Sequence, residues 1–87
     1  MLNIYYTELF LEKIALLSLD TKKALKAKLN LMVENPRHPS LRTKKIQGQE
    51  GIFEASVTMD IRLTWQYTED GILLRNIGGH DKTLKNP

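Results

Sequence analysis

Residues 60–67 constrain this chain more than any other stretch. Ile61, Leu63, Trp65 and Tyr67 alternate without a break with Arg62, Thr64 and Gln66. Successive side chains of a strand point to opposite faces, so the segment reads as a strand with one apolar and one polar face. Such a strand needs neighbours along its edges and a cover over its apolar side. Residues 51–58 alternate in the same way, with Phe53, Ala55 and Val57 on one face and Ile52, Glu54, Ser56 and Thr58 on the other. Residues 72–77 follow a Thr68-Glu69-Asp70-Gly71 turn and supply a third strand. If Tyr67 pairs near Ile72, then Trp65 opposes Leu74 and Thr64 opposes Arg75. That register puts Arg62, Thr64 and Arg75 on the face away from the core.

The N-terminal half supplies the cover. Leu2, Ile4 and Tyr6 alternate with Asn3 and Tyr5 as a short first strand. Thr7 is placed to cap a helix, with Glu8 in its favourable first turn. Residues 9–19 are densely apolar, and Phe10, Ile14 and Leu17 fall on one helical face. Asp20 is positioned to cap a second helix, in which Leu25, Leu29, Met32 and Val33 recur at helical spacing while Lys22, Lys23, Lys26 and Lys28 lie largely elsewhere. Asn35-Pro36 stops it, because the residue before proline avoids helical geometry. All the aromatic residues except Tyr5 fit the core pattern. The tail, 82–87, is polar and is expected to be loose or docked on the surface. The expected fold is α+β in the order β-α-α-β-β-β, an antiparallel helical hairpin on one face of a small, mostly antiparallel sheet, with residues 1–87 forming one domain.

Charge narrows the function classes. The net charge is +3, a mild excess, but it is concentrated. From Pro36 to Gly48 there are Arg37, Arg42, Lys44 and Lys45 and no acid, and from Lys22 to Lys28 there are four lysines and no acid. Such stretches suit a polyanion or an acidic protein. There is no cysteine, so disulfides and thiolate chemistry are excluded, and two histidines without cysteine make no metal site. The start, Met1-Leu2-Asn3-Ile4, lacks the basic and apolar regions of a secretion signal, and no apolar run is long enough to span a bilayer. A cytoplasmic protein with no membrane partner, metal or cofactor is expected. Gly78-Gly79 lacks the spacing of a phosphate-binding glycine loop.

Several residues are suited to phosphodiester chemistry. Arg62 projects from the central strand onto the open face, where its guanidinium can hold a phosphate bidentately. Glu54 and Ser56 project the same way from the neighbouring strand, so an Arg62–Glu54 cross-strand ion pair is the alternative use of the same residues. His80 follows the last strand and carries an imidazole, a group suited to proton transfer, with Asp81 beside it to orient it; an exposed turn histidine is the alternative. His38, between Pro36 and Pro39, is given a structural role. Arg42, Lys44 and Lys45 are candidates for backbone phosphates, and as a solvated basic loop they have a simpler reading.

Taken in order, five pieces of the chain resemble the RelE/ParE superfamily of bacterial and archaeal toxins from toxin–antitoxin pairs. They are the helical hairpin ending in Glu34-Asn35-Pro36, the Leu41…Lys45-Ile46-Gln47-Gly48 loop, Gly51-Ile52-Phe53-Glu54, Ile61-Arg62-Leu63-Thr64-Trp65 and Leu74-Arg75-Asn76-Ile77-Gly78-Gly79-His80-Asp81. The resemblance implies a microbial-RNase-like fold and, for the RelE branch, ribosome-dependent endoribonuclease cleavage of mRNA through attack of a ribose 2′-hydroxyl on its adjacent phosphate. It implies an antitoxin, the ribosome and mRNA as partners. It makes Arg62, His80 and Glu54 the catalytic candidates and Lys45, Lys44, Arg42 and Arg75 the RNA-phosphate ligands. The chain departs from its relatives in having no tyrosine after Tyr67 and in carrying Glu54 and Ser56 where the best-studied branch has paired lysines. The assignment of general acid and base therefore stays open. Two alternatives follow from the same resemblance: a ParE-like inhibitor of DNA gyrase that acts by protein binding, and a non-catalytic remnant that binds RNA or its antitoxin.

Overall fold

In the computed structural model, which describes residues 2–87, the alternation of the central strand is expressed as burial: Leu63 and Trp65 are fully enclosed. The elements run β1 (Asn3–Tyr6), α1 (Glu8–Ile14), α2 (Leu19–Glu34), a 3₁₀ turn (Pro39–Leu41), β2 (Lys44–Lys45), β3 (Phe53–Ser56), β4 (Ile61–Tyr67), β5 (Gly71–Gly79) and α3 (His80–Lys85). The five strands form one sheet in the order β1-β5-β4-β3-β2, with β1 parallel to β5 and every other pairing antiparallel. The first strand thus joins the last, and the hairpin β4–β5 lies near the centre of the sheet.

Phe10 of α1, Leu25 and Met32 of α2 and Leu41 of the 3₁₀ turn meet Phe53, Ala55, Val57, Leu63, Trp65, Ile72, Leu74 and Ile77 in one core. Each fully buried large apolar side chain contributes about 1.5–3 kcal/mol, so this layer far outweighs any surface charge pair. Phe53 stacks on Trp65 with 4.8 Å between ring centroids, and Tyr67 meets Trp65 edge-on at 4.9 Å. The Arg37 guanidinium closes the outer side of this cluster, 5.1 Å from the centre of the Phe53 ring.

The local signals worked where a side chain has one backbone group to satisfy. The Thr7 hydroxyl accepts from the Phe10 N–H at 3.0 Å and donates to the Arg75 carbonyl at 2.6 Å, so the cap also ties α1 to β5. Asn35 ends α2, and its side chain accepts from the Arg37 N–H as the chain turns at Pro36. His38 is structural, its Nδ1 accepting from the Ser40 N–H at 3.1 Å.

The structure corrects several expectations. The first helix ends at Ile14, and the second is capped by Ser18, whose hydroxyl accepts from the Thr21 N–H; Asp20 falls in the first turn. The apolar residues of this stretch are not all buried: Leu16, between the helices, is 80% and Leu19, which opens the second, 69% exposed. Tyr6 and Tyr67 sit at the margin of the core, each nearly half exposed. In β4–β5, Tyr67 pairs with Ile72 and Trp65 with Leu74 as read, but a bulge between Thr64 and Trp65 sets Thr64 against Asn76, not Arg75. Asn76 holds this irregularity by accepting from the Ile77 N–H and donating to the Asn86 carbonyl.

The remaining correction concerns the face away from the core, which is only partly open. Residues 80–85 form α3, which lies against β4 and β5; Thr83 and Thr64 are buried, and Arg75 Nε donates to the Pro87 carbonyl at 3.1 Å. Two residues of the expected basic loop, Lys44 and Lys45, pair with Glu54 and Phe53 as a short edge strand.

β1 is held by a small polar clasp. Tyr5 Oη and Asn3 Nδ2 both donate to Asp70 Oδ2, at 2.8 and 2.9 Å. The Tyr5 hydrogen bond, followed by that of Asn3, lowers the Asp70 pKa below the ordinary carboxylate range, while Asp70 raises that of Tyr5. A depressed folded pKa stabilises the fold above the unfolded value, and this contribution is lost as pH falls through the folded value. Asp70→Asn should therefore flatten the fall in urea midpoint between roughly pH 5 and pH 2. Gly71 is the steric counterpart: a Cβ there would lie 1.9 Å from the Asn3 carbonyl oxygen. Gly71→Ala should displace β1 and cost about 2 kcal/mol or more by urea denaturation; an unchanged midpoint would show that β1 contributes little.

Candidate functional site

The β3–β4 turn, the 3₁₀ turn and α2 enclose a cavity of about 610 Å³ at the end of the sheet. Three cations line it. Lys28 comes from the second half of α2, Arg42 from the residue after the 3₁₀ turn, and Arg62 from the start of β4. Ser40, Ser56 and Thr58 add hydroxyls, and no carboxylate is among the residues that line it.

Each element of this site has a local cause. Arg62 Nη1 donates to the carbonyls of Thr58, Met59 and Ile61 at 2.7, 2.9 and 3.3 Å. The tight turn between β3 and β4 leaves these oxygens facing inward, and the guanidinium satisfies them. Its Nη2 and Nε make no hydrogen bond to the described residues. Lys28 Nζ donates to the Ser40 carbonyl at 3.0 Å, tying α2 to the 3₁₀ turn. Both cations are thus fixed by neutral carbonyls, which hold the charge in place without cancelling it. The expected alternative, an Arg62–Glu54 ion pair, does not form: Arg62 stands opposite Ser56, and Glu54 stands opposite Thr64.

Arg42 is the one non-glycine residue of those described with a left-handed backbone, at φ 50° and ψ 46°. This conformation costs an L-residue roughly 1–2 kcal/mol relative to the right-handed form. It is retained where it closes the 3₁₀ turn, the Arg42 N–H donating to the Pro39 carbonyl at 3.1 Å. Its side chain makes no hydrogen bond or ion pair with the described residues. A left-handed residue is a common way to end a helical turn, and here it carries an unpaired cation into the cavity. Arg42→Gly should therefore keep the unfolding free energy or raise it by up to about 1 kcal/mol, measured by urea denaturation; a clear loss would show that the side chain supports the fold.

The other sequence candidates lie elsewhere. His80 opens α3; its ring is half exposed, its Nδ1 lies 3.2 Å from Asp81 Oδ1, and its N–H donates to the Asp60 carbonyl at 3.3 Å. It is therefore beside the start of β4, at the same end of the sheet as the cavity but outside its lining. Glu54 and Lys44 are cross-strand partners in β3 and β2, and Lys45 opposes Phe53. None of these three lines the cavity. Arg75 is engaged elsewhere, bonded through Nη1 to Gln66 Oε1 and through Nε to the Pro87 carbonyl. Lys28 was the residue missed. The acid-free run from Lys22 to Lys28 signalled a cationic helix face, but only the packing of α2 against the 3₁₀ turn selects one lysine from four.

No family model matches the chain. No curated protein matches it either. Solved structures do. YafQ from E. coli superposes with a TM-score of 0.77 at 20% identity, over 94% of this chain and 97% of that one. A chain of the intact E. coli RelBE toxin–antitoxin complex gives 0.75 at 19% identity, over 93% and 99%. A YoeB/ParE toxin from Agrobacterium tumefaciens gives 0.78 at only 8% identity, over 90% and 98%. Agreement over nearly the full length of both chains, at identities too low to carry more than architecture, establishes that this protein has the RelE-like toxin fold.

Proposed function

We propose that this chain is the toxin of a type II toxin–antitoxin pair and that it cleaves mRNA on the ribosome as a cytoplasmic endoribonuclease. The observation that carries this reading is the cavity of Lys28, Arg42 and Arg62, in which positive charge is fixed by carbonyls and left without a carboxylate. Such a site attracts a phosphate backbone. The solved structures of like fold include toxins in complex with antitoxins, which supports an antitoxin partner here.

The chemistry follows from the groups at this end of the sheet. A ribose 2′-oxygen loses its proton to a base and attacks the adjacent phosphorus. The bond from phosphorus to the 5′-oxygen breaks, and an acid protonates that oxygen. Arg62, with unused donors on Nη2 and Nε, stabilises the crowded phosphorane. His80, held by Asp81 beside the start of β4, is the proton-transfer group. Glu54, two residues along β3 from the partner of Arg62, is the second candidate. With so few acid–base groups, the ribosome must supply the alignment of the mRNA.

The antitoxin is assigned to a second groove, whose lining includes Gly78, the cross-strand partner of Arg62. Leu9 and Leu16 border a groove of about 640 Å³ between α1, β5 and α3, rimmed by Lys13, Lys82 and Lys85. An acidic, amphipathic segment fits both its apolar floor and its charge. One observation favours the non-catalytic reading instead: of Arg62, His80 and Glu54, only Arg62 lines the cavity.

The deciding experiment is mRNA cleavage in a reconstituted translation reaction, with primer extension to map the cuts. The wild type should cut at codon-related positions. Arg62→Ala and His80→Ala should each slow cutting by about 10²–10³-fold while remaining folded by circular dichroism. A folded wild type that leaves mRNA intact but arrests growth with DNA damage would point to gyrase inhibition.

A further inference from the structure

We infer that the cavity of Lys28, Arg42 and Arg62 is a seat for a backbone phosphate next to the one that is cleaved, and that it is separate from the proton-transfer group, with Arg62 shared between the two. The inference rests on the RNA-cleaving reading and goes further by dividing binding from chemistry. Two observations carry it.

The first is what lines the cavity. Transfer to a 2′-oxygen needs a group that takes a proton and a group that gives one. The lining holds cations and hydroxyls, with no histidine, aspartate, glutamate or tyrosine. It has donors in abundance and nothing that exchanges a proton near neutral pH. Lys28 spends one donor on Ser40 and Arg62 spends Nη1 on the turn, while the outer donors of Arg62 and the whole Arg42 guanidinium face no protein acceptor among the described residues. This is equipment for holding an anion, not for reacting with it.

The second is the position of His80. The β4–β5 register sets Arg62 opposite Gly78, and His80 comes two residues later, its N–H on the Asp60 carbonyl. Two residues of extended chain span about 7 Å. The imidazole and the cavity therefore flank the start of β4 on neighbouring ground, and a single phosphate does not occupy both. A nucleotide chain laid across this end of the sheet places one phosphate among the three cations and presents an adjacent one toward His80. Arg62, which lines the cavity and stands across from Gly78, two residues before His80, is shared.

Affinity for a ten-residue single-stranded oligoribonucleotide, read by fluorescence anisotropy over a range of salt, tests the seat without any cleavage. Lys28→Ala and Arg42→Ala should each weaken binding about tenfold. Each should also lower the slope of log affinity against log salt by about 0.7, one phosphate contact on a single strand. Lys23→Ala, an exposed lysine of the same helix that removes the same charge, should stay within twofold. Arg42→Lys should recover most of the loss. Equal losses for Lys23→Ala and Lys28→Ala would mean diffuse charge and would overturn the seat, as would unchanged binding in Lys28→Ala and Arg42→Ala. On the ribosome, the same two variants should raise KM with kcat nearly unchanged, because a seat that grips ground state and transition state alike adds only uniform binding. A fall in kcat at constant KM would place the cavity in the chemistry and overturn the division. Wild-type binding with the expected variant pattern but no mRNA cleavage would keep the phosphate seat and remove the RNase reading.

Discussion

The apolar ladder of β4 is the constraint on which everything else rests. Leu63 and Trp65 are fully buried on one face, and a slip of one residue would turn both to the other side. Fixing that face fixes the polar one. Arg62 precedes Leu63, so it is committed to the side away from the core, at the strand end where the β3–β4 turn leaves three carbonyls converging. The position of the guanidinium is thus a consequence of hydrophobic register. The aromatic group of Phe53, Trp65 and Tyr67 locks the same register from the neighbouring strand, with Phe53 directly opposite Trp65.

What was legible in the sequence is what this register controls. Four of the five strands, the Tyr67–Ile72 and Trp65–Leu74 pairs, the cap at Thr7 and the stop at Asn35 all follow from period and local chemistry, while the edge strand Lys44–Lys45 does not. The bulge at Thr64 does not, because it depends on Asn76 finding the carbonyl of Asn86 after the C-terminal residues have folded back. That docking is itself weakly encoded: His80–Lys85 has little apolar content, and α3 is held by Thr83 against Gly78 and by Arg75 and Asn76 on the last two carbonyls. Ser18 outcompetes Asp20 as a cap because the turn after Ile14 delivers its hydroxyl to the Thr21 N–H, a geometry that spacing alone leaves undetermined. In the site, Arg62 and Arg42 were readable as cations near the sheet, while Lys28 became visible only when α2 and the 3₁₀ turn were brought together.

The way the cavity's charges are held bears on what it can bind. A guanidinium paired with Glu54 would be half neutralised before any ligand arrived, and an incoming phosphate would have to compete with a carboxylate. Backbone carbonyls are different partners. They carry partial charge only, they cannot leave, and they orient the cation while its outward donors stay free. The cost appears as self-repulsion among Lys28, Arg42 and Arg62 and as the left-handed backbone at Arg42, both of which oppose folding. A chain of 87 residues has little stability to spare. The core layer beneath the site, in which Leu41 of the 3₁₀ turn and Val57 beside the β3–β4 turn are both buried, supplies the offset directly under the strained loop.

On the proposed reading, separating a cationic seat from the proton-transfer group avoids a physical conflict. A histidine inside a pocket of three fixed cations would be held neutral, since each nearby positive charge disfavours protonation. It would then serve as a base and fail as the acid for the leaving oxygen. His80 lies outside the lining, in solvent, with the Asp81 carboxylate at 3.2 Å as its neighbour. Its one ion-pair partner among the described residues is thus a carboxylate and not one of the cations of the cavity. Arg62 is the one catalytic candidate that lines the cavity, and its Nη1 is the atom tethered to the turn. On the proposed reading the β3–β4 turn is where binding and chemistry meet, because the carbonyls of Thr58 and Met59 set the reach of that guanidinium.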